Sequence, residues 1–145
     1  MMLEQTAPPA AAAHISVIIP ALNEEAGIAS IVERVLAQYP ALCLVGVPGL
    51  EVIVVDDGSH DQTAAVVERL AANAQGAATV RLVRHGVNRG YGAALKTGLA
   101  QAQGDLIAFF GRRRHLPPRI FSAIVRLGIG RGRCGHWLTH VRRGE

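Results

Sequence analysis

The chain has 145 residues, half of them hydrophobic, and a formal net charge of +4. This length and composition fit one domain with a buried core and exclude a largely disordered chain. The charge is uneven, because residues 1–110 carry ten acidic and six basic side chains, whereas residues 111–145 carry nine arginines and one glutamate. No apolar run reaches membrane-spanning length. Cys43 and Cys134 fit no metal-binding or redox spacing, which is typical of free thiols in a reducing compartment.

The first 40 residues predict a leader, a strand and a helix. Residues 1–13 lack the charged start and long apolar core of a signal peptide and are expected to form a disordered leader. The β-branched run HISVIIP at residues 14–20 predicts the first strand. Apolar residues then recur at helical spacing, with Asn23 as the expected N-cap and Pro40 as the residue that ends the helix.

Strands and helices continue to alternate as far as residue 110. The run EVIVVDDGS at residues 51–59 predicts a second strand that leads into two carboxylates and a turn, and Asp61 is expected to cap the next helix. ATVRLVRH predicts the third strand, the glycine-rich NRGYGAALKTGLAQAQG a turn and a helix, and DLIAFF the fourth strand. Beyond these elements the sequence allows a short helix at residues 119–127 and predicts no other regular structure.

This alternation predicts an α/β fold with three layers, αβα, around a mainly parallel sheet. The strands are apolar on both faces, as in parallel sheets that are covered by helices. Right-handed crossovers bring the carboxyl ends of such strands to one edge, where open α/β sheets bind their ligands. Polar clusters at residues 20–24, 56–59 and 88–90 follow the first three strands, so we expect them to meet at that edge.

Each motif also has a purely structural interpretation. Asp56 and Asp57 can cap a turn, since Asp and Gly are frequent turn formers, or one of them can accept hydrogen bonds from a base or a ribose. The GYG turn at residues 90–92 lacks the spacing of a phosphate-binding P-loop. No serine lies in a nucleophile elbow, so no catalytic triad is assigned. Three histidines in separate segments show no metal-ligand spacing and are expected at the surface: His14, His60 and His85.

Taken together, in this order and at this spacing, four blocks resemble the family 2 glycosyltransferases of the GT-A fold. The blocks are VIIPALNEE, EVIVVDDGSHDQT, NRGYGAALKTG and GDLIAFF, and they resemble the branch of dolichyl-phosphate mannose synthases and polyprenyl-phosphate sugar transferases. The resemblance covers residues 14–110 and implies the nucleotide-binding part of an incomplete GT-A domain. It implies sugar transfer from a UDP- or GDP-linked donor to a lipid phosphate such as polyprenyl phosphate, in the cytoplasm or at the cytoplasmic face of a membrane.

The resemblance also implies which residues hold the nucleotide. In the family, the first block and the aspartates of the second form the base pocket, and Asp57 is expected to bond to the base because a carboxylate accepts hydrogen bonds from N–H groups. No residue is assigned as catalytic, because the general base lies beyond the matched part. The expected nucleotide-binding residues are Pro20, Ala21, Leu22, Glu24, Val55, Asp56 and Asp57.

The metal motif of the family is missing from this sequence. The family has a D-x-D motif just after the fourth strand, where its carboxylates hold Mg²⁺ or Mn²⁺ against the diphosphate leaving group. Here the fourth strand runs into GRRRHLPP, and no carboxylate occurs between residues 111 and 144. Arginine binds phosphate but does not coordinate a divalent cation. The chain as written is therefore expected to have no metal site and to be inactive as a transferase.

A shift of reading frame near residue 110 would account for this loss. One choice of codons for GRRRHLPPRIF, read one base later, encodes D-A-D-G-T-Y-P-P-E-Y-F, which is the metal motif and the loop that follows it. The same shift in RGRCGHWLTHV allows A-D-V-V and then I-G-S-R-M-S, which resembles a later block of the family. The hypothesis is that residues 111–145 form a basic, poorly ordered tail translated in the wrong frame.

Two other functions stay open at this point. One is an inactive relic that binds a nucleotide weakly in half a pocket. The other is a divergent tail that binds nucleic acid or an anionic membrane through its arginines, without a specific nucleic-acid site. Steep salt dependence of binding would favour the tail.

Overall fold

The structure is a computed structural model that describes residues 13–110 and a strand at residues 124–126. Apart from these residues, the predicted leader at 1–13 and the predicted frameshifted tail at 111–145 lie outside the described part of the chain. The elements in chain order are β1 (His14–Ala21), α1 (Ile28–Leu36), α2 (Tyr39–Leu44), β2 (Gly49–Asp56), α3 (Thr63–Asn73), β3 (Ala78–Arg84), α4 (Tyr91–Gln101), β4 (Leu106–Phe109) and β5 (Ile124–Arg126). Among the described residues, no helix is both long enough and apolar enough to cross a membrane.

The five strands form one sheet in the order β3-β2-β1-β4-β5. The first four strands are parallel to one another, and β5 is antiparallel to β4. At the centre of the register, Val17 of β1 lies between Val52 of β2 and Ala108 of β4. This arrangement confirms the predicted α/β fold with a mainly parallel sheet.

The core fills both faces of the sheet, which is why the strands are continuous apolar runs. On one face, alternate residues of β1 and β2 pack against α1 and α3, with Val32 and Val67 fully buried. On the other face, Ile18 and Val55 pack against Ala94 of α4. Helices on both sides of the sheet give the predicted three layers.

Two predictions about the first helices were wrong. Asn23 does not cap α1, because the helix begins at Ile28 with Gly27 in the N-cap position. Pro40 does not end α1, which stops at Leu36; it lies in the first turn of α2, where the missing N–H of proline would have no helical partner in any case.

The short helix allowed at residues 119–127 is also not observed, because residues 124–126 form strand β5. In its register, Ala108 of β4 lies opposite Ile124, and Leu106 lies opposite Arg126. The pairing supplies backbone hydrogen bonds along the side of β4 that faces away from β1. Tertiary pairing therefore overrides the local helical preference of this stretch.

Candidate functional site

Three loops meet at the carboxyl edge of the sheet. Loop A (residues 22–27) follows β1, loop B (residues 57–62) follows β2, and loop C (residues 85–90) follows β3. Because β3, β2 and β1 are neighbours in the sheet, loop B lies between the other two. The polar clusters after the first three strands are thus brought together, as the parallel topology predicts.

Loops A and B are joined by side chains that accept hydrogen bonds from backbone N–H groups. Ser59 Oγ accepts from the N–H of Asn23 at 2.9 Å, and Asn23 Oδ1 accepts in return from the N–H of His60 at 2.9 Å. Asn23 has a φ of +50°, a left-handed conformation that asparagine tolerates better than most residues. Its side chain therefore fixes the junction between two loops instead of capping a helix.

Two acidic side chains extend this junction towards α3. Asp61 Oδ2 accepts a hydrogen bond from the N–H of Glu25 at 3.2 Å, and Glu25 Oε2 accepts from the N–H of Gln62 at 2.9 Å. Asp61 Oδ1 also accepts from the N–H of Thr63 at 2.9 Å, but Gln62 is in the N-cap position of α3, so the prediction of Asp61 as the N-cap was wrong by one residue. Glu24 donates its N–H to Thr63 Oγ1 at 2.8 Å. These hydrogen bonds involve the backbone of both loops and hold loops A and B in a fixed arrangement.

Asp57 joins loop B to loop C. Its Oδ1 accepts hydrogen bonds from the N–H of Arg89 at 2.8 Å and from His85 Nδ1 at 2.7 Å, while Oδ2 accepts from the N–H of Gly90 at 2.9 Å. The residue is only 4 % exposed. Burial acts to raise the pKa of the Asp57 carboxyl, but the hydrogen bonds outweigh it and hold that pKa below its ordinary value. Asp57 is therefore ionised at neutral pH.

His85 is buried between loop B and helix α4, so the prediction of a surface histidine was wrong. Its Nε2 lies 2.8 Å from Thr97 Oγ1 in α4, opposite the Nδ1 contact to Asp57. The N–H of His85 donates to the carbonyl of Asp56 at 2.8 Å, which continues the pairing of β3 by one residue. The two-residue alternation of a strand then puts His85 on the same face as Val83, towards α4. That alternation is visible in ATVRLVRH.

The two residues before Asp57 are buried. Asp56 is 1 % exposed, and its Oδ1 accepts a hydrogen bond from the N–H of Ser59, three residues on, at 3.1 Å. Its Oδ2 lies 4.0 Å from Nε of Arg84. Val55 is fully buried, and its side chain packs in the core beneath α4. Of the two aspartates, Asp56 shapes loop B and Asp57 connects loop B to loop C.

Comparison with known proteins decides the family. Residues 16–111 match the family model described as "Glycosyl transferase family 2". The chain belongs to glycosyl transferase family 2. It is 34% identical over 113 residues to the undecaprenyl-phosphate 4-deoxy-4-formamido-L-arabinose transferase of Pseudomonas aeruginosa (strain LESB58), and the match covers 77% of this chain and 31% of that relative. The chain thus spans less than a third of the length of this curated relative.

Solved structures of other glycosyltransferases share the fold. The mannosyltransferase PcManGT from Pyrobaculum calidifontis, in complex with GDP-Man and Mn²⁺, is 33% identical with a TM-score of 0.50, over 66% of this chain and 26% of that one. Glucosyl-3-phosphoglycerate synthase from Mycobacterium tuberculosis, in complex with Mn²⁺, UDP and glucosyl-3-phosphoglycerate, is 32% identical with a TM-score of 0.50, over 68% and 33%. Family membership confirms the resemblance of the four sequence blocks, and these relatives have the GT-A fold.

The first family 2 block lies beside Asp57 at the carboxyl edge. Asp57 donates its N–H to the carbonyl of Ala21 at 2.9 Å, so the expected nucleotide-binding residues of β1 and β2 are in contact there. Ala21 is buried, Leu22 is 39 % exposed, and Pro20 and Glu24 are half-buried. The edge therefore combines accessible side chains of loop A with the buried carboxylate of loop B.

The described residues do not fit the Mn²⁺ ion that the mannosyltransferase and glucosyl-3-phosphoglycerate synthase structures contain. Within this part of the chain, no group of three His, Cys, Asp or Glu side chains is arranged to hold a metal ion. The strand β4 leads to Phe110, whose N–H donates to the carbonyl of Ile18 at 2.9 Å. The position after β4, where the family has its D-x-D motif, carries glycine and arginines in this sequence. No step of the chemistry can be assigned to a metal in this chain.

Proposed function

We propose that this chain is the nucleotide-binding part of a family 2 glycosyltransferase and that it binds the nucleotide of a UDP- or GDP-linked sugar between loops A, B and C. The proposal rests on the hydrogen bonds of Asp57. An ionised carboxylate has about four acceptor positions, and protein donors occupy three of them, two on Oδ1 and one on Oδ2. One acceptor position on Oδ2 is left for a ligand.

The remaining acceptor position on Oδ2 of Asp57 favours some nucleotide bases over others. A carboxylate that stays ionised can only accept hydrogen bonds, so it favours a base whose edge presents a ring N–H. Uracil and guanine present such a group, whereas cytosine and adenine present a lone pair at the corresponding ring nitrogen. The donor is accordingly a uridine or guanosine diphosphate sugar, which agrees with the GDP-Man and the UDP in the complexes of the two related enzymes.

The surroundings of Asp57 support binding of a flat base. Three large apolar side chains at this edge are exposed: Leu22 in loop A at 39 %, Val87 in loop C at 66 %, and Tyr91 at the start of α4 at 57 %. Small-molecule sites combine apolar walls with a few fixed polar groups, and Asp57 is such a group. Pro20, Ala21, Leu22, Glu24, Val55 and Asp56 form or support the pocket around it.

The acceptor is a polyprenyl phosphate, and the sugar is transferred by the whole enzyme at the cytoplasmic face of a membrane. This part of the proposal rests on the name of the Pseudomonas relative, an undecaprenyl-phosphate sugar transferase. The 145-residue chain binds the nucleotide without transferring sugar, because no carboxylate occurs at residues 111–144 to hold Mg²⁺ or Mn²⁺. The match to the family model ends at residue 111, where the arginine-rich sequence begins, which supports the frameshift hypothesis for residues 111–145.

Calorimetry of the full chain with UDP and CDP tests the proposal. The two ligands share ribose and diphosphate and differ only in the base, so their difference reports the base contact. UDP is expected to bind about tenfold or more tightly than CDP, since a hydrogen bond to a charged group contributes roughly 1.5–3 kcal/mol. GDP and ADP form a second matched pair. Equal affinities within both pairs would overturn the role of Asp57.

Two further arms of the same experiment separate the alternatives. Mn²⁺ is expected to leave the UDP affinity unchanged and to produce no hydrolysis of a UDP-sugar. An active transferase would bind UDP more tightly with Mn²⁺ and would hydrolyse the UDP-sugar. A nucleic-acid or membrane binder that acts through the arginine tail would bind all four nucleotides alike and lose affinity steeply as salt rises.

A further inference from the structure

The contact between His85 and Asp57 is part of a chain of three linked side chains, of which His85 and Asp57 are buried and Thr97 is half-buried. Thr97 in α4, His85 at the start of loop C and Asp57 in loop B are linked by contacts of 2.8 and 2.7 Å. The side chains of His85 and Asp57 are only 4% and 6% exposed. Thr97 in α4 is thus linked to Asp57 in loop B through a buried histidine.

The partners of His85 determine which ring nitrogen carries the proton. Asp57 is ionised and only accepts hydrogen bonds, so Nδ1 must carry the hydrogen that it donates to Oδ1. In the neutral ring Nε2 is then an acceptor, and the hydroxyl of Thr97 donates to it. Asp57 thus sets the tautomer, and the Thr97 hydroxyl, which can donate or accept, holds the other side of the imidazole ring.

The hydrogen bond from His85 determines which oxygen of Asp57 has an acceptor position left for a ligand. His85 and the N–H of Arg89 both bind Oδ1, so the acceptor position that is still available lies on Oδ2 beside the N–H of Gly90. Loss of the His85 bond leaves Oδ1 with one donor and makes the two oxygens equivalent. The carboxylate then keeps only these two backbone hydrogen bonds, and each oxygen has one open acceptor position instead of Oδ2 alone.

We propose that His85 is a positioning residue of the nucleotide site: it orients the Asp57 carboxylate for the base and holds loop C against loop B, with Thr97 holding the imidazole ring in place. This inference rests on the proposed function for its effect on nucleotide binding. Its effect on loop C does not depend on any ligand, because Arg89 and Gly90 are bound to the same carboxylate in the protein alone.

A matched pair of substitutions separates the two ring nitrogens. In His85→Asn the side-chain amide lies near the position of Nδ1, so it keeps a donor for Asp57 and loses the partner of Thr97. In His85→Gln the amide lies near the position of Nε2, so it keeps a partner for Thr97 and loses the donor to Asp57. Thr97→Val removes the hydroxyl with little change of shape and tests the contact at Nε2 on its own.

Two measurements on the full chain test the proposal. The UDP affinity is expected to fall by about tenfold or more in His85→Gln, by about threefold or less in His85→Asn, and by an intermediate factor in Thr97→Val. In the absence of ligand, hydrogen exchange of the Arg89 and Gly90 amides is expected to accelerate by about tenfold in His85→Gln and to change little in His85→Asn. Urea denaturation of each variant shows how much of either effect follows global stability.

The results of these two measurements distinguish failure of the His85 inference from failure of the proposed function. If the wild-type chain binds no UDP but the amides still respond to His85→Gln and not to His85→Asn, the proposed function fails and the role of His85 in loop C stands. If UDP binds and both variants weaken it equally, in proportion to their loss of stability, His85 is only a packing residue. If exchange of Arg89 and Gly90 is the same in both variants, the positioning role is overturned whether or not UDP binds.

Discussion

Gly58 in loop B lies against the backbone of loop C, where a Cβ atom at Gly58 would be 2.6 Å from the amide nitrogen of Asn88. It would also lie 2.7 Å from the carbonyl carbon of Val87, and neither backbone atom can move as a flexible side chain would. Gly58 has a φ of +78° as well. The two loops that hold Asp57 therefore approach so closely that only glycine fits between them.

Gly58→Ala is expected to destabilise the protein more than the same substitution at a glycine that has a positive φ but no close neighbouring atom. The matched control is Gly76→Ala, where φ is +84° and no atom lies within 4 Å of the new Cβ. The control should lower the free energy of unfolding by about 1–2 kcal/mol, and Gly58→Ala by a further 1–3 kcal/mol, roughly, for the overlap. Urea denaturation of both variants gives the comparison. Equal losses would show that loop C simply moves aside.

A second pair of glycines tests how closely α4 packs on the sheet. A Cβ at Gly98 would lie 2.4 Å from Cγ2 of Ile18, whereas a Cβ at Gly92 in the same helix would meet nothing within 4 Å. Gly98→Ala is expected to lower the free energy of unfolding by about 1–3 kcal/mol. Gly92→Ala should raise it, by up to about 1 kcal/mol, because alanine is the better helix former. Thermal or urea unfolding distinguishes them, and opposite signs are the expected result.

Asp57→Asn is expected to weaken UDP binding by about tenfold or more, since the amide removes the charge and presents N–H groups to donors of loop C. The control is Asp105→Asn. Asp105 accepts the N–H of His14 at 3.1 Å at the opposite edge of the sheet, so its loss should leave the affinity within about twofold. Calorimetry with UDP measures both variants. An unchanged affinity in Asp57→Asn would place the base elsewhere.

Acid should destabilise the fold through Glu51 as well as Asp57. Burial acts to raise the pKa of the Glu51 carboxyl, but hydrogen bonds from Ser16, Gln103 and Arg81 outweigh it and hold that pKa below its ordinary value. A carboxyl with a lowered pKa in the folded state stabilises the protein above its unfolded pKa of roughly 4, and this stabilisation is lost as the pH falls through the folded value.

The free energy of unfolding is therefore expected to be flat near pH 6–7 and to fall as the pH drops through about 4 and below. Glu51→Gln should make that fall shallower, because one of the two carboxyls no longer binds a proton on unfolding. Urea denaturation at a series of pH values gives both curves. Parallel curves for wild type and Glu51→Gln would mean that Glu51 does not contribute to the acid response.

The sheet could be predicted from the sequence because its signals are local. β1, β2 and β4 are mainly apolar runs and β3 alternates, and parallel topology then requires the polar residues after β1, β2 and β3 to share an edge. The position of Asp57 at that edge follows from the same reasoning. The hydrogen bonds of Asp57 do not, since its donors Arg89 and Gly90 are 32 and 33 residues away along the chain.

The wrong predictions have the same cause. Asn23 looks like a helix cap because asparagine often is one, but its side chain pairs with the N–H of His60 in another loop. Pro40 looks like the end of a helix, but proline also suits the first turn of the next one. Residue type alone favours the surface for His85, although the alternation of its own strand points it towards α4. Local preference fails at these residues because contacts between separate elements decide their roles.

An NMR titration of the ¹⁵N-labelled full chain with UDP tests the central claim most directly. The expected result is a saturable shift of the amides of Ser59, Arg89 and Gly90 at the carboxyl edge, while those of Gln103 and Gly104, which bind Glu51 and Ser16 at the opposite edge, stay in place. Shifts confined to the arginine-rich residues 111–145, or no saturable shift at all, would contradict a nucleotide site between loops A, B and C.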